Sequence, residues 1–162
     1  APSQSLSFNI SDNTIGFGTL ASGGTRYATG DTLGAASDAT DAHTILISTN
    51  AASGYAMAVS GATLTSGAHS ITPIGATATA STSGTEQFGI RIVANSGNGT
   101  ASAPYNGANW ALDTSAFPDA AATGPGDGVA DEFGIRYVAY IASNTENGSY
   151  SGVLTYTVTA TF

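Results

Sequence analysis

The side chains that could carry acid–base or metal chemistry are few: two histidines, eleven acidic residues and no cysteine in 162 residues. Nucleophilic catalysis needs a nucleophile beside an oriented base, and only His43 and His69 could supply an imidazole. No Gly-x-Ser-x-Gly turn is present, and the adjacent Asp131 and Glu132 would point to opposite faces of a strand. We therefore expect both histidines to be strand or surface residues and the chain not to be an enzyme.

Calcium is the one metal that the spacing of the acids leaves open, because it accepts carboxylates and backbone oxygens from irregular loops. Neither of the two acidic groups has EF-hand spacing, and solvated loop acids are the alternative interpretation. Zinc and other cofactors are not expected. The first group lies in a Gly-rich stretch and comprises Asp119, Asp127, Asp131 and Glu132; the second comprises Asp31, Asp38 and Asp41.

Exposed aromatic residues beside amides often contact sugars. Tyr105 and Trp110, with Asn106 and Asn109 between them, fit this description and are candidate glycan contacts. The alternative is that the single Trp belongs to the core. N-glycosylation sequons occur at Asn9, Asn98 and Asn147, although a chain this rich in Asn, Ser and Thr contains such triplets by chance.

Alternation of apolar and small polar residues recurs along the chain, and Gly-containing turns separate the alternating segments. This pattern predicts an all-β fold, an antiparallel immunoglobulin-like or jelly-roll β-sandwich, with one domain over 13–162 and a separate strand within 1–12. Residues 101–130 are expected to form a long loop with one short strand, and 114–122 a helical turn. The alternating segments are 5–10, 15–20, 43–49, 55–59, 88–92, 133–141 and 154–162.

Two of these segments resemble each other. Residues 86–92 and 131–137 both place Phe and Ile on one face and an Arg, Arg91 or Arg136, on the other. They are either two core strands with similar patterning or neighbouring strands whose outward Arg side chains meet acidic partners.

Composition restricts the partners and the location. The net charge of −8 makes nucleic acid an unfavourable partner. The sequence contains no run of 18 apolar residues, so no membrane-spanning segment is predicted. The opening Ala1-Pro2-Ser3 is typical of an extracellular chain after signal-peptide removal, and a trimmed chain would look the same. Because there is no Lys, a Lys–Asn isopeptide crosslink is excluded.

The first alternating segment carries three large apolar side chains, Leu6, Phe8 and Ile10. It could pair within its own sandwich or leave it and complete the sheet of a neighbouring copy, as in β-strand addition. Exchange would be favourable only if the contacts between copies contribute more free energy than association costs.

The segment Ile15-Gly16-Phe17-Gly18-Thr19-Leu20 resembles the opening strand of secreted bacterial β-sandwich surface proteins. The ending, residues 148–159, is similar to the closing Gly-x-Tyr-x-Gly strand of WxL-type cell-surface domains, and Trp110-Ala111-Leu112 has the Trp-x-Leu spacing. The resemblance implies an extracellular immunoglobulin-like sandwich. At the level of architecture, the chain is also similar to strand-exchanging subunits of biofilm fibres and bundling pili.

Three functional hypotheses follow. The first is a structural subunit of an extracellular filament, a homopolymer joined non-covalently by the strand that carries Leu6, Phe8 and Ile10. The second is a monomeric adhesin or glycan-binding module that uses Tyr105 and Trp110. The third is a phage or virion surface protein.

Overall fold

The chain forms an antiparallel β-sandwich, as the alternation predicts. The structure, a computed structural model, describes residues 3–24, 26–29 and 36–162, and only the backbone of Arg26. Asp31 of the second acidic group lies outside the described residues. The strands are β1 (Leu6–Ile10), β2 (Arg26–Tyr27), β3 (His43–Thr49), β4 (Tyr55–Gly61), β5 (Thr65–Ser66), β6 (His69–Ser70), β7 (Gly75–Thr79), β8 (Gln87–Ser96), β9 (Thr100–Ala101), β10 (Trp110–Leu112), β11 (Asp119–Gly124), β12 (Asp131–Tyr140) and β13 (Leu154–Ala160).

Two sheets enclose the core. The first has the order β1-β3-β12-β8-β10-β7, with β2 also paired to β12, and the second has the order β13-β4-β11-β9. Ile45 and Phe133 from the first sheet pack with Met57 and Val59 from the second, all essentially without exposed area. Among the described residues, no helix has the length and hydropathy that crossing a bilayer requires.

Residues 86–92 and 131–137 lie in hydrogen-bonded neighbouring strands. The interpretation of neighbouring strands with outward Arg side chains is therefore confirmed, and one of the two Arg residues meets an acidic partner. β8 and β12 pair so that Arg91 and Arg136 lie directly opposite each other on the outer face. Arg136 Nε donates to Asp41 Oδ1 at 2.7 Å, as expected of an acidic partner. Arg91 instead lies over the ring of Trp110, with 5.0 Å between its Cζ and the ring centroid.

Two local predictions need correction and one is confirmed. Residues 15–20 do not form a strand but a single bridge between Gly16 and Thr29, because Gly18 turns the chain with a φ of 74° that only glycine adopts readily. The stretch 101–130 is not a long loop with one short strand, since it contains β10, β11 and the last residue of β9, and β11 lies inside the second sheet. The short helical turn expected near 114–122 is the 3-10 helix Thr114–Ala116, and β11 begins at Asp119.

Candidate subunit-contact edge

Strand β1 forms the edge of the first sheet and is only half covered. It runs antiparallel to β3, with Phe8 opposite Ile47 and Ile10 opposite Ile45. Opposite residues share a face, so Leu6, Phe8 and Ile10 point to the core side, where Ile45 and Ile47 are fully buried. Leu6 and Phe8 nevertheless remain 41% and 40% exposed. In the single chain, the candidate donor strand therefore lies on its own sheet with an apolar face that is incompletely buried.

The residues at the end of β3 hold the start of this strand through its backbone. Asn50 Oδ1 accepts a hydrogen bond from the Ser5 N–H at 2.9 Å, and Asn50 Nδ2 donates to the Ser3 carbonyl at 2.8 Å. Thr49 Oγ1 donates to the Ser5 carbonyl at 2.7 Å. None of these bonds involves a side chain of the bound strand. They set its register on β3 without depending on whether it belongs to the same copy.

The turn after β1 is bonded to β3 as well. The Ser11 N–H donates to the Thr44 carbonyl at 2.9 Å, and Ser11 Oγ accepts from the Thr44 N–H at 2.8 Å. His43 Nδ1 lies 2.6 Å from the Asp12 carbonyl oxygen. Because a carbonyl can only accept, Nδ1 carries the proton. The backbone of Ser11 and Asp12 is therefore a continuation of the β1–β3 pairing.

His43 also begins a buried chain of hydrogen bonds. Its Nε2 lies 2.7 Å from the Tyr137 hydroxyl, which lies 2.6 Å from the Tyr156 hydroxyl on β13. Burial lowers the pKa of His43, so the neutral ring accepts from Tyr137 and Tyr137 accepts from Tyr156. Burial raises the pKa of both tyrosines, which remain protonated donors. The chain connects the two sheets beside β1.

A groove of about 930 Å3 opens between the sheets next to this chain of hydrogen bonds. Ile10 and residues 13–20 form one wall, and residues 145–154 form part of the other. Phe88 and Tyr137, both 3% exposed, also line it, so the groove reaches the core. Core side chains therefore form the floor of a surface groove at this end of the single chain.

Four strands near the groove carry no charged side chain in a chain whose net charge is −8, whereas Glu146 lines the groove itself. We call the surface formed by β1, β3, β4 and β13 the open edge, because β1 and β13 each end a sheet there. None of these four strands carries an Asp, Glu, Lys or Arg, and neither do residues 42–85 or 147–162. The acidic residues fall on the remaining segments. Two copies could thus approach through the open edge without burying like charges.

The four acids of the candidate calcium site do not form one site. Asp119 lies in the second sheet opposite Val59, whereas Asp131 lies in the first sheet opposite Ile47. The buried Asp131 carboxylate accepts from the Tyr55 hydroxyl at 2.7 Å and from the Asn98 N–H at 2.6 Å. Across the described ranges, no three His or acidic side chains gather as metal ligands.

Of the other two acids, Asp127 shares the hydrogen-bond donor Asn98 with Asp131, and Glu132 does not join them. Asp127 Oδ2 accepts from Asn98 Nδ2 at 2.7 Å, while Glu132 alternates with Asp131 along β12 and so points to the opposite face. Tyr105 donates to Asp119 Oδ2 at 2.7 Å. The prediction of a calcium site formed by these four residues is therefore wrong, because Asp119 and Asp131 lie in different sheets and the carboxylates of Asp119, Asp127 and Asp131 accept from protein donors.

The predicted glycan contacts are buried. Tyr105 is 0% and Trp110 3% exposed. Trp110 packs with Val138 and Tyr140 on the outer face of the first sheet, where Arg91 covers its ring. The prediction that these two aromatics form a sugar-binding surface is wrong, and the alternative core assignment of the Trp is confirmed.

The three sequons lie in different settings. Asn9 is exposed on β1 opposite Leu46. Asn98 is exposed but donates its side-chain amide to Asp127 and its backbone N–H to Asp131. Asn147 is exposed where it lines the groove. Glycosylation at any of them stays a prediction.

Both histidines are strand residues as expected, His43 buried in β3 and His69 exposed in β6, but sequence reasoning missed Asn50 and the hydrogen bonds of His43. The only sequence signal for Asn50 is that it ends the alternation of 43–49, and its partners are 45 residues away or more. Among known proteins, no family model, curated sequence or solved structure matches this chain.

Proposed function

We propose that this protein is a structural subunit of an extracellular filament or pilus, in which β1 of one copy pairs with β3 of the next. One observation carries the proposal: Leu6 and Phe8 of β1 are two-fifths exposed although they point to the core side. The main chain on either side of β1 is held by hydrogen bonds to the side chains of Thr49 and Asn50 and to the Thr44 carbonyl. Such bonds serve an equivalent strand from a neighbour equally well.

The free energy for assembly must come from new contacts rather than from the strand itself. Exchange preserves the β1–β3 contacts, and covering the exposed parts of Leu6 and Phe8 would contribute only about 1–2 kcal/mol. Association costs about 4–15 kcal/mol. The open edge supplies the remaining surface, because its four strands carry no charged side chain and their apolar area can be buried without desolvating a charge.

Cysteine crosslinking tests this function directly, because the chain has no cysteine of its own. Ser7 and Ser48 are opposite each other in the β1–β3 register, at a separation that suits a disulfide. Chains carrying Ser7→Cys are mixed with chains carrying Ser48→Cys before assembly and are then oxidised. We expect a disulfide between the two different chains, together with filaments in electron micrographs.

Two controls make the result specific. Pairing Ser7→Cys with Thr123→Cys, an exposed position on β11 outside the open edge, should give no such crosslink. In the double variant Ser7→Cys/Ser48→Cys, oxidation of the dilute chain should lock β1 onto its own β3 and prevent assembly. Crosslinks that form only within single chains under all assembly conditions, with no filaments, would contradict the proposed function.

A further inference from the structure

If β1 is exchanged, the chain must pass from one copy to the next at one of two turns. The nearer is the turn at 11–14, directly after β1. The farther is the turn at 21–24, after the segment Ile15–Leu20 that forms one wall of the groove. The choice decides whether residues 3–10 or residues 3–20 change places, and the contacts of each segment distinguish the two.

The nearer turn is fastened to the acceptor strand. Ser11 exchanges two hydrogen bonds with Thr44, and the Asp12 carbonyl accepts from the buried His43. Asp12 Oδ1 in turn accepts from the Thr14 N–H at 2.9 Å and shapes the turn locally. If the chain crossed here in an extended conformation, the His43 Nδ1–H would lose its acceptor in a buried position, which is unfavourable.

The segment after this turn packs on the same body as β1. Ile15, Phe17 and Leu20 are partly buried against the core, and the Phe17 ring meets the Phe88 ring edge-on at 6.0 Å. Gly16 and Thr29 exchange two backbone hydrogen bonds, of 3.2 and 3.1 Å. Thr29 lies beyond the farther turn and stays with the parent copy, so this pairing would also form between copies if the whole segment were exchanged.

The farther turn has the character of a hinge. It reads Ala21-Ser22-Gly23-Gly24 and is closed by a local hydrogen bond from the Gly24 N–H to the Ala21 carbonyl. Positions 21–23 are exposed, and a β-carbon at Gly23 or Gly24 would meet nothing within 4 Å. Glycines in open space can change their backbone angles with little steric penalty.

We infer that the exchanged unit is Ser3–Leu20 and that the chain crosses between copies at Ala21–Gly24. This inference rests on the proposed function and extends it. The neighbouring copy then supplies both β1 and the groove wall that carries Ile15, Phe17 and Leu20. Each subunit would be incomplete without the other, and its core would be closed by a second copy of this chain.

A second cysteine pair distinguishes the two crossing points. Gly16→Cys is mixed with Thr29→Cys before assembly, in parallel with the Ser7→Cys and Ser48→Cys mixture. We expect both pairs to form disulfides between different chains. If the first strand pair links different chains while a Gly16→Cys/Thr29→Cys double variant links only within each chain, the crossing point is 11–14 and the inference is overturned. If both pairs link only within chains, the proposed function itself fails.

Shortening each turn gives a test that does not depend on the Gly16 variant folding. Deleting Gly23 and Gly24 strains the return of the chain to its own body, and strained hinge loops favour exchange. We expect a severalfold rise in the fraction of Ser7–Ser48 crosslinks between copies, whereas deleting Asn13 and Thr14 should give no such rise, because residues 11–14 move together with β1. The reverse pattern would contradict the inference.

Discussion

Asn50 is the side chain that most directly determines how a strand sits on β3. Its amide makes one hydrogen bond to the Ser5 N–H and one to the Ser3 carbonyl, so it acts as an additional strand residue. Because both partners are backbone atoms, Asn50 recognises an extended main chain and not a sequence. Its removal should affect the placement of β1 in the monomer and in any assembly.

We predict that Asn50→Ala lowers the free energy of unfolding by about 1–2 kcal/mol, since two partly exposed hydrogen bonds of about 0.5–1.5 kcal/mol each are lost. Assembly should weaken in parallel. Urea unfolding of the monomer and light scattering measure the two effects. Asn106→Ala, in the exposed loop at 106–109, is the matched control. An unchanged unfolding midpoint for Asn50→Ala would contradict this role.

His43 should make the protein sensitive to mild acid. Burial lowers its folded-state pKa below the ordinary 6.5, so below pH 6.5 the unfolded chain binds a proton that the folded chain does not. Stability is therefore unaffected above that pH and falls as pH drops below 6.5, by up to about 1.4 kcal/mol per pH unit until the folded pKa is reached.

Urea unfolding between pH 7.5 and 5.0 measures this loss. His43→Gln should flatten the profile, while His69→Gln should leave it unchanged because His69 is exposed. A wild-type unfolding free energy that is constant over this range would show that His43 is not held neutral in the fold.

Among the elements, β1 and β3 offer a matched pair of apolar side chains. Phe8 is 40% exposed on the core side of β1, and Leu46 is 41% exposed on the outer side of β3. The two side chains expose the same fraction of their surface on opposite faces of the sheet. Comparing their variants therefore distinguishes burial of the core side by a neighbouring copy from a general effect of exposed apolar surface.

We predict that Phe8→Ala strongly reduces filament formation and destabilises the monomer by about 1–3 kcal/mol, because a half-buried aromatic ring is lost from the core side. Leu46→Ala should reduce filament formation far less, because Leu46 lies on the outer face of β3 and does not line the groove. Sedimentation and electron microscopy of the two variants decide the matter. If both variants assemble like the parent chain, the apolar face of β1 is not part of the contact.

For the molecule as a whole, the distribution of charge matters more than its amount. A net charge of −8 makes separate copies repel each other, while the open edge contains no charged residue in its four strands. Assembly through this edge should therefore be limited by long-range repulsion and not by local ion pairs.

We predict that assembly strengthens when salt is raised from about 0.01 to 0.15 M, since the screening length falls from about 30 to 8 Å. Light scattering against ionic strength measures the trend. Assembly that weakens with salt would indicate ion pairs in the contact and would contradict an uncharged interface.

A single added charge should locate the contact. Thr157 on β13 and Thr123 on β11 are both exposed, so Thr157→Glu and Thr123→Glu change the net charge equally. We predict that Thr157→Glu raises the concentration needed for assembly at least about tenfold, equal to ~1.4 kcal/mol, because the charge enters the open edge. Thr123→Glu should have a much smaller effect. Equal effects would mean that only net charge matters.

The strands with strong alternation could be predicted from the sequence alone. β3 spans His43–Thr49 as expected, and the inward face of β12 carries Phe133, Ile135 and Tyr137. Strands made of small residues escaped detection, as β7 (Gly75–Thr79) and β11 (Asp119–Gly124) did, because Ala, Gly and Thr do not distinguish an inner from an outer face. Local pattern therefore predicted the class of fold but not its full strand order.

The amino-acid sequence by itself determined the β-rich architecture, the absence of charge from 42–85 and 147–162, and the apolar alternation of Leu6, Phe8 and Ile10. Only the tertiary structure decided that Trp110 is covered by Arg91, that the acidic residues are divided between two sheets, and that Asn50 and His43 hold the segment 3–12. Periodicity depends on near neighbours in sequence, whereas each of these contacts depends on strand pairing between residues far apart in the chain. No local pattern encodes that pairing.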